Sequence, residues 1–115
     1  MRARVVAIML VPAIAEIVAG LVCVWLASAM WHERLSKDGI AGVRTASTTR
    51  SDEAFRVANK AAAPLTAAGA AVLITGGALA AAVPHRYAGL PTFAGVLLFL
   101  ALAIWGGIRG VRACR

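Results

Sequence analysis

Ionisable residues are missing from two long stretches of this 115-residue chain, and acidic ones are scarce throughout. Pro64 to Val83 and Leu90 to Ile108 contain no Asp, Glu, Lys or Arg, and Val5 to Met30 contains only Glu16. Stretches this poor in charge cannot supply the solvated face of a water-soluble helix. With five acidic residues in all and one inside these stretches, paired carboxylates for acid and base work are excluded there, and no nucleophile elbow, Walker loop or zinc-binding helix occurs. No enzymatic activity and no cofactor are expected. The two cysteines, Cys23 inside the first apolar stretch and Cys114 at the tail, would lie at different depths, and neither a disulfide framework nor a metal site follows from them. His32 and His85 have no cysteine or carboxylate at ligand spacing and read as solvated surface histidines. Aromatic residues make up 6% of the chain and do not interleave its basic residues. Despite a net charge of +7, no nucleic-acid partner is expected.

What the chain has in excess is apolar content, 61%, more than the roughly half of an ordinary soluble domain. A hydrocarbon core of about 30 Å takes roughly 20 apolar residues in helix. Three windows meet or approach that length, at about residues 5–30, 64–83 and 90–108, with a polar segment at 31–63. The expected architecture is all-α: a single integral membrane domain over residues 1–115, with three spans in the lipid bilayer and a polar loop and amphipathic helix between the first two. The N-terminal "MRARVVAIML", with Ala27 and Ala29 spaced as at a cleavage site, has the look of a signal peptide. Its apolar run exceeds the roughly 7 to 15 residues of that class, and Glu16 interrupts it, so a retained anchor is expected.

Within this frame, Trp25 and Trp31 fall where rings prefer the headgroup level, and "WHERLSKDG" reads as a helix end with Gly39 as the stop. Thr49 or Ser51 can cap the next helix, with Asp52 and Glu53 in the first turn, where the helix dipole favours negative charge. Phe55, Ala58, Ala62 and Leu65 recur at helical spacing while Asp52, Arg56 and Lys60 take another face. This predicts an amphipathic lead-in running into the second span, bent at Pro64. In that span Gly69, Gly77 and Ala81 are placed on one stripe and Gly76 with Ala80 on the next, and Gly106 and Gly110 repeat the spacing in the third; such stripes let helix backbones approach closely. Arg2, Arg4 and Arg86 fall on one side of a three-span chain and the other nine basic residues on the opposite side. The excess predicts a cytoplasmic polar insert and C-terminus, with the N-terminus outside.

The polar insert carries a signature. Gly42, Val43, Arg44 and Thr45, then Ser47 and Thr48, then Glu53, Phe55, Ala58 and Asn59 resemble the "G-Y-R-T … E-x-W-x-x-A-N" element of the sporulation-delay immunity protein (SdpI) family, with Val43 in place of Tyr and Phe55 in place of Trp. The resemblance covers roughly Glu33 to Ala82 directly and, through the three-span layout, most of the chain, which reads as the short form of that family. It implies a small multi-pass protein of the bacterial cytoplasmic membrane. The roles implied are protection against a secreted membrane-active toxin peptide, and signalling through a cytoplasmic regulator held at the membrane. The motif or partner-binding residues it implies are Gly42, Arg44, Thr45, Glu53, Phe55 and Asn59.

The residues themselves suggest how these act. Arg44 can bind a phosphate, a carboxylate or several backbone carbonyls at once; it either ties the loop to the second helix through Asp52 or Glu53, or presents its charge to lipid or a partner. Asn59, one turn after Phe55, can cap a loop carbonyl. Glu16, near mid-span, costs about 2.5 kcal/mol or more to insert and needs a protein-facing position or a partner; Thr75, at similar depth, is the candidate. Glu16 could serve a proton relay, a peptide site or a plain interhelical hydrogen bond. Two other classes of function stay open: a small transporter or channel subunit using Glu16 within a homo-oligomer, and a structural component assembled with a larger partner through the small-residue stripes.

Overall fold

The computed structural model describes residues 2–39 and 41–115. Its elements run α1 (Arg2–Trp31), α2 (Asp52–Ala82), a short 3-10 turn (His85–Tyr87) and α3 (Gly89–Ala113), with no strand among the described residues. Helix is what these sequences must form in lipid, because every backbone N–H and C=O there needs a partner within its own segment. All three helices are long and apolar enough to cross a membrane. The molecule is a rod of 55 × 21 × 20 Å, longer than a hydrocarbon core of about 30 Å.

Helix α2 takes both neighbours, while α1 and α3 scarcely meet. Its small residues explain this. A Cβ added at Gly20 of α1 would lie 3.0 Å from the Ala70 carbonyl oxygen of α2, and one added at Gly77 of α2 would lie 2.8 Å from the Ala13 carbonyl oxygen of α1. Each helix thus receives the other's backbone at a glycine. On the α3 side, a Cβ at Gly110 would lie 2.7 Å from the Ala58 carbonyl oxygen, and Gly106 packs on Leu65 and Ala62. Contacts this close suit lipid, where helix association rests on van der Waals packing of backbones rather than on exclusion of water. The large side chains point away: Phe93, Leu97, Leu100 and Ile104 of α3 are exposed, as a lipid-facing surface requires.

The stripe drawn through Gly69, Gly77 and Ala81 is split in the structure. Gly69 faces Phe99 and Leu102 of α3, Gly77 faces α1, and Ala81 is exposed. Eight residues turn a helix about 80° past the starting face, enough to move from one neighbour to the other when a helix has two. Gly76 and Ala80 are both buried, and Gly76 meets Pro91 and Gly95 of α3.

Two helix ends also differ from expectation. Helix α1 stops at Trp31, well before Gly39: Glu33 adopts φ +60°, and the Arg34 N–H reaches back to the Ala29 carbonyl at 2.8 Å. This is the six-to-one bond of a Schellman stop, made with a glutamate where glycine is usual. Helix α2 begins at its Ser51 cap, whose hydroxyl accepts the Ala54 N–H at 3.0 Å. It then runs without interruption through Pro64, so lead-in and span are one helix. Phe55, Ala58 and Ala62 are buried along it and Asp52, Arg56 and Lys60 exposed.

Candidate functional site: a loop clasp and a buried carboxyl

The segment between α1 and α2 is folded by its own polar side chains. Asn59, 1% exposed on α2, holds the loop at Val43: its Oδ1 accepts the Val43 N–H at 2.6 Å, and its Nδ2 donates to the Val43 carbonyl at 3.4 Å and to the Phe55 carbonyl at 2.9 Å. This close approach defines Gly42. That residue sits at φ +97°, and a Cβ there would come 2.5 Å from Asn59 Oδ1 and 3.0 Å from Leu35. Glycine is needed for backbone conformation and for space alike.

Arg44 performs the tying role, by a route other than Asp52 or Glu53. Its Nη1 donates to the Lys37 carbonyl at 2.5 Å and its Nη2 to the Ser36 carbonyl at 2.7 Å, while the guanidinium lies 4.9 Å from the centre of the Phe55 ring. The carboxylates sit on the first turn of α2, exposed, and complement the helix dipole there; Arg44 instead reaches two carbonyls of the turn that follows α1, that of Ser36 also accepting the Gly39 N–H at 3.0 Å. A planar fork can bridge two adjacent carbonyls and lie on an aromatic face together, which an ammonium cannot. One side chain therefore connects the start of the loop to the buried face of α2.

Thr48, 0% exposed, completes the clasp. Its hydroxyl accepts the Thr45 N–H at 2.8 Å and donates to the Val43 carbonyl at 3.0 Å, while the Thr45 hydroxyl accepts the Thr48 N–H at 3.2 Å. Thr45 and Thr48 thus cap each other across one turn. Val43 packs against the buried Met30, Ala62 and Ala63 with Leu26 and Leu35. Arg50 Nη2 donates to the Cys114 carbonyl at the end of α3, so clasp and C-terminus share one end of the rod. Of these features, the sequence places Thr48 within the signature without showing its role, and it does not show the Arg50 bond. The three-residue spacing of Thr45 and Thr48 is the sign that could have revealed the first; a contact across 64 positions leaves no local sign.

Glu16 is 6% exposed and lies where α1 meets both other helices. Its Oε1 is 2.7 Å from the position of a Cβ on Gly76 and nearer still to one on Gly95. Thr75 is not its partner: that residue is exposed on α2. The hydroxyl beside the carboxyl is that of Thr92, and neither carboxyl oxygen is in hydrogen-bond geometry with any described group. The side chain is seated against backbone, in space that two missing Cβ atoms leave open.

These features define a three-span α-helical membrane protein whose first connection is locked by an arginine and an asparagine at one end. The chain matches the SdpI/YfhL protein family over residues 34–111, and it belongs to that family. No curated protein and no solved structure matches it. The matched residues take in the clasp, α2 and nearly all of α3; Glu16, on α1, lies ahead of them.

Proposed function

We propose that the protein works by binding, not chemistry, as a membrane immunity or signalling component that protects against a membrane-active toxin peptide or relays its presence. The observation that carries this reading is the family membership over residues 34–111, a range that contains the whole Arg44 and Asn59 clasp. In this reading Arg44 and Asn59 fix a shape rather than touch the ligand, since the Asn59 amide and both terminal nitrogens of Arg44 are already engaged inside the loop. The shaped surface is a groove of about 470 Å³ between loop and α3, lined by Val43, Thr45, Ile104, Ile108 and Val111, with Arg112 and Arg115 at its rim. An apolar floor with a basic rim suits an amphipathic peptide lying at the headgroup level, on the cytoplasmic side if the basic excess sets the orientation.

The test is survival of toxin-sensitive bacterial cells that express the wild-type chain, Arg44→Ala or Asn59→Ala, challenged with a membrane-active toxin peptide, with the amount of inserted protein measured in parallel. Protection by the wild type and its loss in both variants at equal membrane levels is the expected result. Equal protection by all three would remove the clasp from the mechanism. No protection by any would refute the immunity role.

A further inference from the structure

We propose that Glu16 is an intramembrane proton-binding site: a carboxyl that exchanges a proton while seated between Gly76 of α2 and Gly95 of α3. Three observations lead there, none of which depends on the immunity reading. The first is that Glu16 is 6% exposed and both of its oxygens are without a hydrogen-bond partner among the described residues. A buried carboxylate in a span persists only with a counter-charge, donors or a bound cation, and here no described charge faces it and the one donor beside it, the Thr92 hydroxyl, is not in hydrogen-bond geometry.

The second is the seat. At either glycine the atom nearest to an added Cβ is Oε1, within 2.7 Å, and at Gly76 the Pro91 carbonyl oxygen follows at 3.0 Å, so the carboxyl occupies space that two glycines on two helices leave open. Gly95 is one of only three residues of α3 that are buried, with Gly106 and Gly110. Those other two pack on Ala62, Leu65 and Ala58, whereas Gly95 receives the carboxyl.

The third is access. Gly76 and Gly95 also line a cleft of about 310 Å³ between α2 and α3, with Thr75, Pro91 and Leu98 among its walls. The hydroxyl of Thr75 in that cleft and that of Thr92 beside the carboxyl are groups able to pass a proton. No competing charge intervenes. The spans of α2 and α3 that pack on Glu16 hold no Asp, Glu, Lys, Arg or His between Pro64 and Val83 or between Leu90 and Ile108. On α1, Cys23 is about two turns away, and Arg4, His85 and Arg86 lie beyond the ends of the apolar windows. The proton is the cation this site fits, because a metal ion needs several oxygen ligands converging on it and the described side chains there offer only the carboxyl and the Thr92 hydroxyl.

The full-length protein in lipid nanodiscs, treated with the membrane-soluble reagent dicyclohexylcarbodiimide, tests this. The carboxylic acid O–H adds across one C=N bond, with the proton going to nitrogen and the carboxyl oxygen to carbon. Migration of the acyl group to nitrogen then gives a stable N-acylurea, so the whole mass of the reagent is gained and nothing leaves. Peptide mass mapping should find this adduct on Glu16, forming about tenfold more slowly for each pH unit above the midpoint of the titration, and at a rate unaffected by sodium or potassium. Glu16→Gln should show no adduct in that peptide. Absence of an adduct on the wild type, or a rate that does not change with pH, overturns the proposal, and so does protection by sodium, which would mark a metal-cation site. Mapping and pH dependence are both read on the wild type, so the outcome is decisive even if Glu16→Gln fails to fold.

Discussion

Asn59 grips the backbone of Val43 at both of its polar groups, accepting its N–H at 2.6 Å and donating to its carbonyl at 3.4 Å. Sixteen positions separate the two residues, so this contact, more than any local turn, sets how far the loop folds back onto α2. The Val43 carbonyl has a second donor in Thr48, whereas its N–H is bonded to Asn59 alone. The two halves of the grip therefore differ in consequence.

Asn59→Ala leaves the Val43 N–H without its acceptor, and a half-buried donor so orphaned costs about 1 to 3 kcal/mol. Asn59→Asp keeps an acceptor at the same point but loses the Nδ2 donor to the Phe55 carbonyl and introduces charge at a buried position. Both should lower the melting temperature in detergent micelles, followed by circular dichroism. The alanine variant should also make the loop more sensitive to trypsin at Lys37 and Arg50. A wild-type digestion rate in Asn59→Ala would show that the loop is held by other means.

Gly42→Ala should be more damaging than its single added methyl suggests. The left-handed backbone costs about 1 to 2 kcal/mol for a residue bearing a Cβ, and that Cβ would fall 2.5 Å from Asn59 Oδ1, forcing the grip open. The combination with Asn59→Ala measures the coupling. Removing the amide relieves the clash, so the double variant should be less destabilised than the sum of the singles. Strict additivity would mean that the two residues do not act together.

Arg44→Lys separates charge from shape. Lysine keeps the positive charge but cannot span the Ser36 and Lys37 carbonyls while lying flat on Phe55, and losing hydrogen bonds of a charged group costs about 1 to 3 kcal/mol. Thermal stability should fall nearly as far as in Arg44→Ala. Should the lysine variant match the wild type, the arginine would be acting as a simple cation toward lipid headgroups.

How much of this could be read in the chain depends on the range of the interaction. Three helices long and apolar enough to cross a membrane, the Ser51 cap and the apolar face through Phe55, Ala58 and Ala62 follow from periodicity and from the chemistry of one or two turns, and the structure has them. The stop of α1 does not, because Glu33 takes a conformation that glycine usually signals, and Gly39, which carries that signal, is not at the helix end. Gly69 and Gly77 are legible as small but not as belonging to different neighbours: the sequence shows a helix's own faces and not how many helices share them. The same limit hides the seat of Glu16. That a mid-span carboxyl must face protein follows from solvation; that it faces Gly76 and Gly95 rather than Thr75 depends on the rotation and depth at which α1 meets α2.

Two nearby glycines of α3 should respond to alanine in opposite directions. Gly107 has nothing within 4 Å of where a Cβ would stand, so Gly107→Ala should gain about 0.5 to 1 kcal/mol from reduced backbone freedom. At Gly110 the added Cβ would lie 2.7 Å from the Ala58 carbonyl oxygen, and backbone cannot yield as a side chain does; overpacking of this kind costs about 1 to 3 kcal/mol. Melting temperatures of the two variants in the same micelles check this, and a gain in both would mean that α3 does not lie against α2 as described.

Orientation can be decided at the loop that the clasp presents. Arg50 bonds the Cys114 carbonyl, so the loop and the end of α3 lie on the same side, and the nine basic residues assigned to that side outweigh Arg2, Arg4 and Arg86 opposite. By the positive-inside bias that end should be cytoplasmic, although the basic start of α1 pulls the other way. Ala46 is exposed in the loop and makes none of the clasp's side-chain bonds, so Ala46→Cys, with Cys23 and Cys114 replaced by serine, places a label without disturbing it. A membrane-impermeant maleimide should label that cysteine in inverted vesicles and not in intact spheroplasts. Labelling from the outside alone would reverse the assignment and move the groove beside Val43 to the face that a secreted peptide reaches first.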